Sequence, residues 1–144
     1  MRIYLDNCCF NRPFDDQQQA RVRLEAEAKL YIQERIRNNT IEIAWSYILD
    51  LENSANPFEE RRTTIQNWRQ FAKTDVEESP ALLKRANALS SIGLKAKDAL
   101  HVACAIAAGC DYFVTTDDGI LALGKVIMDI IVLDPTALVR ERNI

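Results

Sequence analysis

The sequence predicts an α/β fold built on a parallel sheet, and three observations carry that prediction. Short apolar runs at Ile3–Leu5, Ile41–Ala44, Tyr112–Thr115 and Ile130–Leu133 read as strands. The segments between them repeat apolar residues at helical spacing. The run Tyr112–Thr115 is continuous rather than alternating, as suits a parallel strand covered on both faces. Strands alternating with helices then assemble into one sheet with helical crossovers.

The elements follow in order. Arg2 to Leu5 is a β-favouring run that ends at Asp6. A loop with Pro13 follows, and Asp15 or Asp16 is placed to cap a helix from Gln17 to about Asn38, with Leu24, Ala28, Tyr31, Ile32 and Ile36 as its apolar stripe. Asn38-Asn39 ends it. After the strand at Ile41–Ala44, Ser46 to Ser54 reads as a short helix that must close before Pro57. Phe58, Ile65, Trp68 and Ala72 mark a further amphipathic helix. Ser79-Pro80 starts another, carried by Leu82, Ala86 and Leu89 and ending near Gly93. Lys97 to Ala108 is apolar nearly all round and reads as a buried helix with Gly109 just past its end. Asp118 to Leu123 is a short helical turn before the last strand. There are no repeats, low-complexity segments or linkers, so residues 1–144 read as a single domain.

Composition excludes several function classes. The 144 residues carry 18 Lys plus Arg against 21 Asp plus Glu, a net charge of −3, with 48% hydrophobic residues. A chain of this size buries roughly 68–70% of its unfolded surface without disulfides or structural metals. The charge lacks the basic excess of a protein that holds nucleic acid by electrostatics alone. The four glycines, at 93, 109, 119 and 124, spell neither a phosphate-binding P-loop nor a dinucleotide turn. The one histidine, His101, lies in the apolar helix, where a packed core residue is the expectation and a Ser/His/Asp triad is not. Cys8, Cys9, Cys104 and Cys110 form no C-x-x-C pair and read as reduced thiols of a cytoplasmic protein. No signal peptide opens the chain, and no apolar segment is long enough to span a bilayer, so no membrane association is expected.

Four acids stand where surface charges do not. Asp6 follows Ile3-Tyr4-Leu5, and Asp117 follows Phe113-Val114-Thr115-Thr116, so both end apolar strands. Asp98 opens the buried helix, and Glu52 lies in the short helix after the second strand, with Asp50 as a neighbouring competitor. Ligands of open α/β sheets bind outside the carboxyl ends of the strands, and the alternating topology brings all four acids to that edge. Clustered carboxylates raise one another's pKa unless a cation neutralises them. Mg²⁺ or Mn²⁺ is the hard ion that fits such an oxygen-donor set.

These segments resemble the PIN-domain family of metal-dependent ribonucleases, which includes the toxin halves of VapBC-type toxin–antitoxin pairs. The resemblance rests on Ile3-Tyr4-Leu5-Asp6-Asn7, on Ser46 to Glu52, on Lys97-Asp98-Ala99-Leu100-His101-Val102-Ala103 and on Phe113-Val114-Thr115-Thr116-Asp117, together spanning Arg2 to about Pro135. It implies a three-layer α/β/α fold with a central parallel sheet of four to five strands. It also implies an acidic quartet of Asp6, Glu52, Asp98 and Asp117 that binds metal and acts in catalysis, with Asp118 as an extra or substitute ligand and Thr115 in support. Asn7 stands where the family often has Thr or Ser, and it retains the capacity to hydrogen-bond a ligand water.

The implied activity is Mg²⁺-dependent endoribonuclease cleavage, with Mn²⁺ as an alternative ion. Metal-activated water attacks the phosphodiester and leaves 5′-phosphate and 3′-hydroxyl ends. Arg12, just beyond Asp6, is expected to contact substrate phosphate. Arg21, Arg23, Lys29, Arg61, Arg62 and Arg69 are expected mostly on solvated helix faces. The resemblance further implies a cognate antitoxin and a homodimer. The competing reading is a catalytically silent PIN-like module that binds RNA or a protein. A haloacid-dehalogenase-type phosphatase is disfavoured because Cys8 stands where its second acid is needed, and a receiver domain because Arg2–Leu5 lacks the acidic pair.

Overall fold

The computed structural model describes residues Met1–Ile144. Its strands are β1 (Arg2–Leu5), β2 (Glu42–Ser46), β3 (Ala72–Val76), β4 (Tyr112–Val114) and β5 (Ile131–Leu133). All neighbours pair in parallel, in the order β3-β2-β1-β4-β5. Ile3, Tyr4 and Leu5 of β1 are all buried, because helices cover both faces of the sheet. The result is the expected three-layer α/β/α arrangement. Its helices are α1 (Asn7–Asn11), α2 (Ala20–Arg37), α3 (Tyr47–Ser54), α4 (Glu59–Asn67), α5 (Pro80–Ser91), α6 (Ala96–Ala107), α7 (Asp118–Leu123) and α8 (Pro135–Glu141). No helix is long and apolar enough to cross a membrane.

The strand order places the site. The chain runs outward from β1 through β2 to β3, then returns to lay β4 on the other side of β1. That reversal opens a crevice at the carboxyl ends of β1 and β4. The register Tyr4↔Phe113 and Leu5↔Val114 brings Asp6 and Thr115 out of the sheet side by side. The backbone N–H of Asp6 donates to the Val114 carbonyl at 2.9 Å, so the ladder extends to the aspartate itself. Beneath it, Tyr4 stacks on Phe113 with ring centroids 5.5 Å apart, and Phe10 meets the edge of Trp45 at 5.5 Å.

Most predicted elements form, with local capping as the physical reason. Ser46 accepts from Leu49 N and Ser79 from Leu82 N, so α3 and α5 begin where expected. Gly109 and Gly93 take positive φ, at 69° and 115°, past the ends of α6 and α5.

Three expectations need correction, and one element is unforeseen. Neither Asp15 nor Asp16 caps α2; Gln19 holds that position without a side-chain bond, and a 3₁₀ turn at Arg12–Phe14 precedes it. The stripe that α2 buries is Val22, Glu25, Ala26, Lys29, Ile32, Gln33 and Ile36, while Leu24 and Tyr31 face solvent. The helix predicted through Ala72 stops at Asn67, tightens into a 3₁₀ turn at Trp68–Phe71 and continues as β3. Finally, α8 closes the chain beyond the last predicted strand, capped by Asp134 and led by Pro135.

Candidate metal centre

Asp6 is both the last residue of the β1 ladder and the N-cap of α1. One oxygen, Oδ1, accepts from Asn7 N at 2.8 Å; Oδ2 accepts from the Thr115 hydroxyl at 2.8 Å and from the Cys8 thiol at 3.4 Å. Only 5% of the residue is exposed. Burial pushes its pKa up, and the charge of Glu52 adds to that, against the opposing pull of His101 and the Thr115 bond.

Glu52 reaches the same place from α3. Its Oε1 lies 3.5 Å from His101 Nε2 and its Oε2 lies 3.5 Å from Lys97 Nζ. Burial opposes its ionisation, yet His101 and Lys97 outweigh that cost and hold it below the usual carboxylate range. The competitor Asp50 is occupied elsewhere, accepting from Trp45 Nε1 at 2.8 Å and from Gln66.

Asp98 sits in the first turn of α6, partly buried. Its pKa is raised by burial first and then by the charges of Asp6, Asp117 and Glu52, which records that the four acids share one electrostatic neighbourhood. Asp117 caps α7 by accepting from Ile120 N at 3.0 Å, and with Asp98 it lines a surface depression that also holds Lys95 and Asp118. Thr115 ties the two strand ends together: it donates to Asp6 while its oxygen accepts from Asp117 N at 3.1 Å.

The remaining predicted residues divide. Asp118 is exposed and grips Arg21 through both oxygens, at 2.8 and 2.9 Å, which holds its carboxyl below the usual range. Asn7 contributes its backbone N–H to Asp6, while its side-chain Oδ1 is buried without a partner. Arg12 is half-buried and ion-paired to Glu25 at 3.2 Å and Asp15 at 3.1 Å, which pins the loop behind Asp6. Arg61 and Arg69 are likewise held, by Phe14 O and Asp15 and by Asp75 and Asp50. Lys29 departs most from the expected solvated position, being buried under Phe10 and Trp68.

His101 is the residue that sequence reasoning placed incompletely. It is fully buried, as expected of a core residue, but its ring edge faces the acids rather than apolar packing. One ligand atom each from Asp6, Glu52 and His101 lie within 4.8 Å of one another. The signal was its spacing: Asp98 and His101 are three apart on α6 and therefore share a face.

Asp6 and Asp98, whose pKa values are raised, join Glu52 and the buried Nε2 of His101 in a donor set whose nearby cation is Lys97, 3.5 Å from Glu52. A divalent cation fits it, since a hard ion takes carboxylate oxygens and relieves their repulsion.

Comparisons with known proteins bear on the family and the fold. The profile of the PIN domain family matches residues 3–126. Among curated proteins, none matches the chain. Several solved structures share the fold, two of them as follows. VapBC2 from Rickettsia felis, crystallised with a DNA fragment from their promoter, is 15% identical, with a TM-score of 0.59 over 93% of this chain and 98% of that one. FitAcB from Neisseria gonorrhoeae is 14% identical, with a TM-score of 0.56 over 92% of this chain and 97% of that one.

Proposed function

Because this chain belongs to the PIN domain family, we propose that it is a divalent-metal-dependent endoribonuclease and the toxin half of a toxin–antitoxin pair. What supports the reading is the closeness of Asp6 and Glu52 oxygens at the crevice between β1 and β4, with Asp98 near enough to feel the charges of Asp6, Asp117 and Glu52. Asp6 and Glu52 are the residues to hold Mg²⁺ or Mn²⁺, with Asp98 and Asp117 at the more open rim facing substrate. When bound, the ion supplies Lewis acidity for the phosphodiester and acidifies water.

The chain's own groups do the positioning. Thr115 fixes the Asp6 carboxylate, so its rotamer is set before any ligand arrives. Lys97, 58% exposed where it pairs with Glu52 at 3.5 Å, keeps N–H groups that can contact a backbone phosphate. Arg12, committed to Glu25 and Asp15, adds positive potential and its remaining N–H groups. With a net charge of −3, RNA affinity depends on these local cations and on the neutralised acids. The likeness in fold to VapBC2 and FitAcB supports an antitoxin partner.

The test is cleavage of total RNA with Mg²⁺, Mn²⁺ or EDTA. Cleavage in either ion, none in EDTA, and ends carrying 5′-phosphate and 3′-hydroxyl are expected. Mn²⁺ bound by folded protein with no cleavage of any RNA sinks the reading in favour of a silent binding module. Thr115→Val gives a graded check: the isosteric change removes the donor to Asp6 and is expected to weaken Mn²⁺ binding about 10–100-fold by calorimetry. Unchanged affinity excludes the positioning role.

A further inference from the structure

We propose that His101 is a nitrogen ligand of the divalent ion, so that the centre takes Mn²⁺ in preference to Mg²⁺. The inference rests on the metal-centre reading above and specifies its chemistry.

Three observations lead there. The His101 side chain is 1% exposed, and its Nε2 makes no well-formed hydrogen bond, its nearest carboxylate oxygen being Glu52 Oε1 at 3.5 Å. A buried polar nitrogen left unpaired is costly, so native structures rarely keep one without a purpose. That nitrogen points into the space it shares with Asp6 and Glu52 oxygens, all within 4.8 Å.

The other ring nitrogen explains how Nε2 is kept available. Nδ1 lies 2.7 Å from the Tyr4 hydroxyl, which lies 2.6 Å from Ser46 Oγ. Ser46 Oγ also accepts from Leu49 N as the cap of α3. With the proton on Nδ1, the ring donates to Tyr4, Tyr4 donates to Ser46, and the Nε2 lone pair faces the carboxylates. A hydrogen-bond partner on the far nitrogen is how metal-binding imidazoles are oriented and held in one tautomer. The buried Tyr4 ring packs edge-on to His101 at 5.8 Å and fixes the plane.

The consequence is ion choice. Mg²⁺ keeps to oxygen donors and gives up water reluctantly, whereas the divalent first-row ions accept imidazole, Mn²⁺ the most weakly of them and alone in also favouring carboxylate and water oxygens. A site of two carboxylates and one imidazole is therefore expected to bind Mn²⁺ more tightly than Mg²⁺.

The experiment uses the untagged chain, whose single histidine makes the assignment unambiguous. Mn²⁺ is titrated by calorimetry, and the loaded protein is examined by electron spin-echo envelope modulation. Coordinated-imidazole ¹⁴N modulation in wild type, lost in His101→Gln together with at least ~10-fold of Mn²⁺ affinity, is the expected result. Mn²⁺ bound without ¹⁴N modulation overturns the ligand assignment and leaves the nuclease reading intact. Folded protein that binds no Mn²⁺ overturns both. Should the glutamine variant misfold, the wild-type spectrum decides alone.

Discussion

Asp6→Asn is expected to lower metal-dependent RNA cleavage by about three orders of magnitude while leaving the metal-free protein at least as stable as wild type. The kinetic half follows from where Asp6 stands. It is the most buried of the four acids and shares the ion-binding group with Glu52 and His101. Metal assistance is worth several kcal/mol of transition-state stabilisation, and each 1.36 kcal/mol is tenfold in rate.

The stability half follows from the raised pKa of Asp6, caused by burial and then by Glu52. A carboxyl whose native pKa exceeds its unfolded value binds its proton more tightly in the native state. Stability therefore falls as pH rises between the two values, and above them the ionised group is a standing cost. Asparagine removes that charge and keeps an oxygen for Asn7 N. Thermal melts in EDTA should show no loss of stability, and added Mn²⁺ should raise the melting point of wild type only. A variant that cleaves as fast as wild type would falsify the site; one that unfolds in EDTA would show that Asp6 is structural.

The same residues show what a one-dimensional reading can reach. A carboxylate ending an apolar strand, as Asp6 does, is visible because parallel strands deliver their carboxyl ends to one edge. Caps are visible too, since Ser79-Pro80 acts within its own turn. Facing is harder. The apolar spacing on α2 points to Leu24 and Tyr31, yet the buried stripe carries Glu25, Lys29 and Gln33. Two of these polar members are satisfied by groups distant in sequence: Glu25 by Arg12, and Gln33 by the Trp68 indole N–H, with the amide assigned so that its oxygen accepts. The edge strand β3 is hidden for a similar reason. Its sequence, Ala72-Lys73-Thr74-Asp75-Val76, is weakly β-favouring, and pairing with β2 makes it a strand. His101 is legible as buried but not as functional, because helical periodicity gives a face and not the end of the sheet it meets.

Lys29→Met is expected to stabilise the protein near neutral pH, by of the order of 2–4 kcal/mol, and to flatten a rise in wild-type stability between pH 6.5 and 8.5. Lys29 is 3% exposed and has no carboxylate partner; burial lowers its pKa from 10.5 to about 7, with Cys9 and Arg37 as the nearby titratable groups. Below pH 7 both states are protonated, and the folded state carries the full cost of a buried ammonium. Between about 7 and 10.5 the unfolded chain keeps the proton that the native state has released, so stability climbs with pH by about 1.4 kcal/mol per unit. Wild type should gain about 2 kcal/mol across the window.

Methionine fills the same channel. It forfeits the ammonium's contacts over Phe10 at 5.1 Å and Trp68 at 5.5 Å, which are partly replaced by sulfur–aromatic contact. The Gln33 oxygen still accepts from Trp68. Burial raises the thiols of Cys9, Cys104 and Cys110, the last two to about 12, so they oppose the trend at alkaline pH. For Cys104 and Cys110 that background is common to both proteins and cancels in their difference, while the Cys9 thiol, which feels the Lys29 charge, is pushed further up in the variant. Urea unfolding of wild type and variant at pH 6.5 and 8.5 reads that difference directly. A gap between the two proteins that is the same at both pH values would show that Lys29 holds its proton throughout, satisfied by the two rings and Gln33.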